Sequence, residues 1–249
     1  LSEDTNADGV IDVQDLKWQY LQGDGDFRSD EIKQLRDEAD IIITNPPFSL
    51  FREFMAWIME AEKKFAVIGN MNAITYKEIF PLIKENKMWL GATGNGNDMV
   101  FAVPTGTEIA ESDRQKAAKL GYVGNYTRLG NSCWFTSIEH GRRHQPLQLM
   151  TMDDNRKFNK QIINNTNAYQ PYDNYNAIEV PFTNAIPSDF DGVMGVPISF
   201  LDKYNPEQFE ILGIDRYIED NPKYGKRFDL NGKEVYARIL IRHKTGANQ

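Results

Sequence analysis

The chain has 249 residues, 41% hydrophobic and 12% aromatic, which is enough to bury a substantial core and too apolar for a disordered segment. No run approaches the roughly 18 apolar residues of a membrane span, and the single cysteine, Cys133, excludes an internal disulfide framework and a cysteine-rich zinc site. The net charge of −8 argues at first against a nucleic-acid partner, but it is local: residues 1–40 hold twelve acids against four Lys or Arg, and the remainder is balanced. The expected class is a soluble, cytoplasmic enzyme, or part of one, with no membrane partner.

In chain order the first feature is Asp4-Thr5-Asn6-Ala7-Asp8-Gly9-Val10-Ile11-Asp12-Val13-Gln14-Asp15. Side-chain oxygens at Asp4, Asn6, Asp8, Asp12 and Asp15, a main-chain oxygen at Val10 and a glycine at the sixth position follow an EF-hand or dockerin-like calcium loop. Asp15 stands where such loops usually carry a bidentate Glu. The same residues also read as an acidic surface turn that binds no metal, and both readings stand for the segment 1–21. A helix starting near Val13 and carrying Leu16, Trp18, Tyr20 and Leu21 would accompany the calcium reading. Next comes Gly23-Asp24-Gly25-Asp26-Phe27-Arg28-Ser29, a turn ending a strand in the plainest reading. It lies one strand before Asn45, where a nucleotide-binding sheet holds a cofactor adenine. Asp26 is the candidate acceptor for its amine and Phe27 the candidate packing face.

Ile41 to Thr44 is apolar without alternation, which predicts a strand buried on both faces, as in a parallel sheet. Asn45-Pro46-Pro47-Phe48 ends it. Pro46 and Pro47 fix φ and push the preceding residues out of the helical region, so the turn is stiff. The exocyclic nitrogen of adenine is a poor nucleophile because its lone pair is delocalised into the ring. Acceptors on its two hydrogens, the Asn45 carboxamide oxygen and the Pro46 carbonyl, would draw that nitrogen toward a tetrahedral shape. Phe48 supplies a flat apolar face for a base removed from its stack. The motif therefore points to methyl transfer onto a planar amino group. A strand merely terminated by Pro-Pro is the alternative.

Ser49 is placed to cap a helix carrying Leu50, Phe51, Phe54, Met55, Trp57, Ile58 and Ala61 at helical spacing. Phe65 to Ile68 reads as the next buried strand, ended by Gly69. Thr75 and Glu78 predict a capping box before Tyr76, Ile79, Phe80, Leu82 and Ile83, with Pro81 bending that helix or shifting its start. Two strand and helix pairs predict a doubly wound α/β sheet. Trp89–Gly91, Met99–Val103, Cys133–Ile138 and Leu147–Met150 read as strands that add an antiparallel part. Residues 155–191, rich in Asn, Tyr and Pro, read as a long ordered loop or recognition segment. Basic residues cluster at Arg142, Arg143 and His144, and again at Lys223, Lys226, Arg227, Lys233, Arg238, Arg242 and Lys244. Such clusters meet phosphates or are solvated faces.

GDGDFRSDE, ADIIITNPPFSLFREF, KFAVIGNMNAITYKEIFPLIKENKMWLG, GNSCWFT and DFDGVMGVPISFLDKYNPEQFEILG together resemble the EcoRI-type adenine-specific DNA methyltransferases, discontinuously from about Gly23 to the C-terminus. The resemblance implies a Rossmann-like class I methyltransferase sheet, S-adenosylmethionine as donor, N6-methyladenine in double-stranded DNA as product and a partner restriction endonuclease. By position, Asn45, Pro46, Pro47 and Phe48 match the family's catalytic loop, and Asp26 and Phe27 its cofactor-adenine segment. Trp134 or Phe135 falls where related enzymes place an aromatic near the flipped base; a strand aromatic in the core is the other reading. Arg142, Arg143, Lys226 and Arg227 are the candidate phosphate contacts. The organisation expected is a calcium-loop-like segment over 1–21, a partial catalytic core over 22–152 and a recognition region over 153–249.

Two further classes remain open. The same loop type serves RNA adenine and protein glutamine methylation, and a remnant binding DNA or calcium without catalysis is the non-enzymatic reading. Such enzymes place the first sheet strand and the donor's methionine and ribose loop well before the catalytic loop, whereas 44 residues precede Asn45 here. The expectation is a catalytic loop and later strands without a complete donor pocket. Titration calorimetry of this chain with S-adenosylmethionine is expected to show weak or no binding; tight binding would overturn that expectation.

Overall fold

The computed structural model describes residues 5, 7–10, 20–92, 99–128, 130–218 and 225–244, which fall into two compact units, 1–40 and 41–249. Of the calcium-loop candidates, Asp4, Asn6, Asp12 and Asp15 lie outside the described residues, as do Val13, Leu16 and Trp18. The described part of the first unit centres on α1 (Asp30–Glu38). Ser29 caps it by accepting from the Ile32 amide, Asp30 and Glu31 occupy its first turn and Arg36 its last, so the charges complement the helix dipole. The Glu31 carboxylate reaches back to accept from the amides of Gln22 and Gly23, tying down the glycine-acid turn.

The second unit opens with β1 (Ile41–Thr44), a 3-10 turn at Phe48–Leu50, α2 (Phe51–Glu60) and β2 (Lys64–Asn70). It continues through α3 (Phe80–Lys84), β3 (Trp89–Leu90), β4 (Val100–Ala102), α4 (Glu111–Lys119), β5 (Tyr126–Arg128) and β6 (Ser132–Thr136). The first sheet has the order β1-β2-β6-β3, with β1 parallel to β2 and β6 antiparallel to both of its neighbours. Strands β4 and β5 form a separate antiparallel ribbon. The buried face of α2, made by Phe51, Phe54, Met55 and Ile58, belongs to a core that includes Phe65 and Val67 of β2 and Cys133 and Phe135 of β6. The architecture is mixed α/β with open sheets.

Beyond residue 150 the chain adds α5 (Met152–Phe158), β7 (Ile178–Glu179), β8 (Met194–Pro197), β9 (Phe209–Ile214), β10 (Asp229–Leu230), β11 (Lys233–Glu234) and β12 (Arg238–His243). The C-terminal region, expected to be irregular from the Asn, Tyr and Pro content of residues 155–191, contains a second four-stranded sheet, ordered β7-β8-β12-β9. A charged pair links β7 to β12 across β8. The Arg238 guanidinium forks onto Glu179, at 2.6 and 3.0 Å, and the Tyr172 hydroxyl donates to the same carboxylate. Both ions are almost wholly buried, so each depends on the other for solvation it cannot get from water. The hairpin from β10 to β11 turns at Asn231 and Gly232, both at positive φ, as a two-residue turn requires.

Several local expectations are corrected. Strand β1 is not buried on both faces: among the described residues it pairs only with β2, and Ile41 and Ile43 are 47% and 69% exposed. Its apolar run reflects an edge strand whose outer side and one face carry no neighbour among those residues. Ser49 does not cap α2, because it lies inside the 3-10 turn and Leu50 takes the cap position without a side-chain bond. The Thr75–Glu78 box is also not formed. Thr75 donates to the Asn72 carbonyl in a 3-10 turn at Met71–Thr75, and Asn70 caps that turn. Pro81 does shift the helix start, standing in the first turn of α3. Leu147–Met150 is not a strand: the side chain of Gln208 accepts from the Leu147 amide and donates to its carbonyl, substituting for a neighbouring strand.

Gly69 in β2 carries a structural demand that its place at a strand end did not reveal. A Cβ there would stand 2.5 Å from the ring of Phe51 and 2.9 Å from that of Phe135, rings that touch at a centroid distance of 5.1 Å. Gly69→Ala is expected to destabilise the fold by about 1–3 kcal/mol through overpacking. Thermal unfolding should show a midpoint lower by several degrees; an unchanged midpoint would show that Phe51 moves aside freely.

Candidate active site

Strand order and register place the motif. Thr44 is opposite Val67, and β2 runs on to Asn70, which is opposite Ser132 at the start of β6. Asn131 then accepts from the Met71 amide at 2.6 Å, closing that end. Trp89 and Ala66 both face Thr136, so β3 runs in the direction of β2 with β6 reversed between them, and Gly91 donates to the Trp134 carbonyl. Asn45, Asn70, Ser132 and the Gly91–Ala92 segment therefore share the C-terminal end of the parallel strands. Ligands in open α/β sheets bind outside that end.

Asn45 and Pro47 are exposed, and Pro46 is buried between them. The Asn45 carboxamide forms no hydrogen bond among the described residues. The Pro47 carbonyl accepts from the Leu50 amide at 2.9 Å and starts the 3-10 turn that leads into α2. Phe48, first in that turn, is 38% exposed, and its carbonyl accepts from the Phe51 amide. Three residues after Phe48, Phe51 is fully buried over Gly69. Thus the turn is stiffened by two prolines from within and pinned by Phe51 from behind, while its amide and aromatic ring face outward. Phe51 and Gly69 are positioning residues that the motif itself does not announce. A glycine inside a strand is the sequence signal that could have exposed them.

The remaining candidates separate. Phe135 is fully buried against Phe51, so its ring cannot stack on an incoming base. Trp134, its neighbour on β6, points to the opposite face and is half-buried. Asp26 is chelated by its own neighbour: its Oδ1 accepts from the Arg28 amide and Nε, and its Oδ2 from Nη2 at 2.6 Å. The Arg28 side chain and amide hold the Asp26 carboxyl down at about 2. Phe27 is 8% exposed, with the Arg28 guanidinium 5.5 Å from its ring centre. A cofactor adenine at this pair would have to take the place of Arg28.

The cations after β6 are largely committed. Arg143 is buried, with its guanidinium 3.9 Å over the Trp89 ring and bonded to Glu139 and Asn86. It is a structural cation and does not face a phosphate. Arg142 donates to the Ala92 carbonyl and pairs with Asp202. His144 bridges Glu207 and Glu139 at 2.8 and 3.0 Å, and the bond to Glu207 foremost raises its pKa. At the C-terminus Arg238 is spent inside the second sheet and Arg242 pairs with Glu210. Lys226 is exposed, and the Arg227 guanidinium lies 4.9 Å over the ring of Tyr236. Cys133 is buried, which pushes its thiol up to about 12 and makes it inert as a nucleophile.

A family profile described as adenine-specific methyltransferase EcoRI matches residues 1–244. The chain belongs to the EcoRI adenine-specific methyltransferase family. It is 44% identical over 231 residues to the type II methyltransferase M.EcoRI of Escherichia coli, covering 92% of this chain and 65% of that protein. It is 34% identical to M.MgeORF184P of Mycoplasma genitalium, over 89% of this chain and 70% of that one. It is 32% identical to M.MpnI of Mycoplasma pneumoniae, over 94% and 73%. The chain thus spans roughly two thirds of the length of these EcoRI-family relatives. No solved structure matches it. The exposed turn at Asn45–Phe48 lies within the residues that the family profile matches. No helix among the described residues is long and apolar enough to cross a membrane.

Proposed function

We propose that this chain carries the target-base side of a site-specific DNA adenine N6-methyltransferase of a restriction-modification system. The single observation that supports this reading most is the Asn45 carboxamide, exposed and unengaged at the C-terminal tip of β1 on a turn locked by Pro46, Pro47 and Phe51. Relatives named type II methyltransferases point the same way. In this reading the first sheet is the later part of a Rossmann-like class I methyltransferase core, and residues 153–249 form the DNA-recognition region.

The chemistry follows from the residues. The Asn45 oxygen accepts one hydrogen of the adenine amino group and the Pro46 carbonyl the other, holding the nitrogen lone pair out of the ring system. Phe48 offers its ring to the extruded base, and Trp134, on the open face of β6, is the second candidate for that contact. S-adenosylmethionine supplies the methyl on an already activated sulfonium, so this chain's contribution is placement more than acid-base catalysis. Asp26 and Phe27 would hold its adenine after exchanging Arg28 for the amine. Lys226 and Arg227 remain the surface candidates for phosphate contact.

Methyl transfer by the intact gene product to duplex DNA is expected, with methylated adenine as product. Asn45→Ala is expected to lower the rate by about a hundredfold or more by removing an oriented acceptor. Product mapping also separates DNA from RNA or glutamine acceptors. Near-normal turnover of the variant would remove Asn45 from the mechanism, and wild-type protein that modifies no DNA would remove the function.

A further inference from the structure

Between Gln145–Gln148 and the turn at Thr183–Ala185 lies a cleft of about 330 Å³ that none of the catalytic residues lines. Gln145, Gln148 and Asn184 border it together with Thr183, Lys203 and Arg142. The three carboxamides are exposed, and their side chains make no hydrogen bond among the described residues. Neighbouring amides behave differently. Gln208 clamps both polar groups of Leu147, Asn155 and Asn159 bond to each other and to main-chain carbonyls, and Asn205 accepts from the Glu207 amide. Gln161, Asn164 and Asn176 are exposed and unengaged as well, so what sets Gln145, Gln148 and Asn184 apart is that one cleft brings them together.

The backbone that carries them is fixed from several sides. Gln208 holds Leu147, between Gln145 and Gln148, as a strand would. The Gln145 amide donates to the Arg142 carbonyl. Asn159 donates to the carbonyl of Asn184 itself. Lys203 is exposed and forms no ion pair among the described residues. Rigid support behind unsatisfied polar tips is what recognition of another molecule requires.

A carboxamide offers one donor and one acceptor side by side, the pattern that pairs with the N6 and N7 edge of adenine in the major groove. A free ammonium such as that of Lys203 suits the O6 and N7 of guanine. The location agrees. Arg142 lines the cleft and bonds to Ala92, at the same end of the sheet as Asn45. From β1 to β3 there are three strand spacings, about 14 Å, or roughly four base-pair steps along a duplex.

Building on the methyltransferase reading, we infer that Gln145, Gln148, Asn184 and Lys203 form a direct-readout site for base edges of the target duplex, flanking the adenine extruded at Asn45. Phosphate attraction would engage cations and be indifferent to sequence, whereas amides on a fixed frame discriminate between base pairs.

The test is a randomised duplex library methylated by the intact gene product and sequenced for methylated adenine. It is run on the wild type and on Gln145→Ala, Gln148→Ala and Asn184→Ala, with Gln148→Glu keeping size while removing the donor. The wild type defines the recognition site. At least one alanine variant is expected to lose about ten- to a hundredfold in kcat/KM on that site, and its preference at one or two positions about four base pairs from the adenine should relax. The melting temperature should stay unchanged, because all three side chains are exposed. Variants that keep the wild-type sequence profile, or that slow uniformly at every sequence, overturn the readout site and leave the methyltransferase reading intact. A wild type that methylates no duplex overturns that reading, and the readout site falls with it.

Discussion

The seating of Phe51 in the space left by Gly69, tilted against Phe135, is the contact on which the candidate site depends. Two prolines limit the conformations of the Asn45–Phe48 turn, but they do not say where it stands relative to the sheet. Phe51 does, because it is the first residue of α2 and also part of the core under β2 and β6. A single missing methyl group at position 69 thus couples sheet packing to the pose of an exposed carboxamide one residue beyond Thr44, the last paired residue of the strand. Burial on one side of the turn is what permits exposure on the other, since the polar tips need no internal partner to be held in place.

Electrostatics distribute the cations in the opposite sense from a simple basic patch. Arg143 solvates itself with Trp89, Glu139 and Asn86, Arg238 with Glu179, and Arg142 and Arg242 each take a carboxylate. These guanidiniums tie segments far apart in sequence, as in the bond from Arg142 to Ala92 and the fork from Arg238 to Glu179. The Arg238 charge is costly to withdraw for an external phosphate, because Glu179 would be left unpaired where water does not reach it, whereas the Arg242–Glu210 pair is exposed and weak. For a chain of net charge −8, recognition therefore has to draw on shape and hydrogen bonding as well as on attraction to phosphate.

What could be read from sequence was what short-range chemistry dictates. The Asn-Pro-Pro-Phe turn, the amphipathic α2, the strand β2, the antiparallel β6 and the displaced start at Pro81 all follow from local residue types, and the structure has them. Misreadings arose where tertiary neighbours decide. Ile41–Thr44 reads as fully buried because apolar runs carry no record of whether a neighbour is present, and the strand lies at an edge. Phe135 and Trp134 are equivalent in composition, yet alternation on β6 sends one into the core and the other to the open face. Arg142, Arg143 and His144 look like a patch until Glu139, Glu207 and Asp202, the last two some 60 residues away, are seen to neutralise them. The calcium-loop pattern cannot be weighed in the same way, since four of its six ligand positions lie outside the described residues.

The same contrast explains why the carboxamide cleft was invisible at the sequence level. Gln145, Gln148 and Asn184 are ordinary surface residue types, scattered over a segment rich in Asn and Gln, and most amides in that region serve the fold. Their distinction is their grouping: Gln208, Asn155, Asn159 and Asn205 bond to nearby chain, while these three, left without an internal partner, border one cleft. Deletion of a fold-serving amide such as Gln208 would free the Leu147 amide and carbonyl and cost stability. Deletion of Gln148 would leave no internal group unsatisfied. An amide whose loss costs the folded protein nothing, held on a backbone that other amides fix in place, is free to serve a partner without cost to the fold.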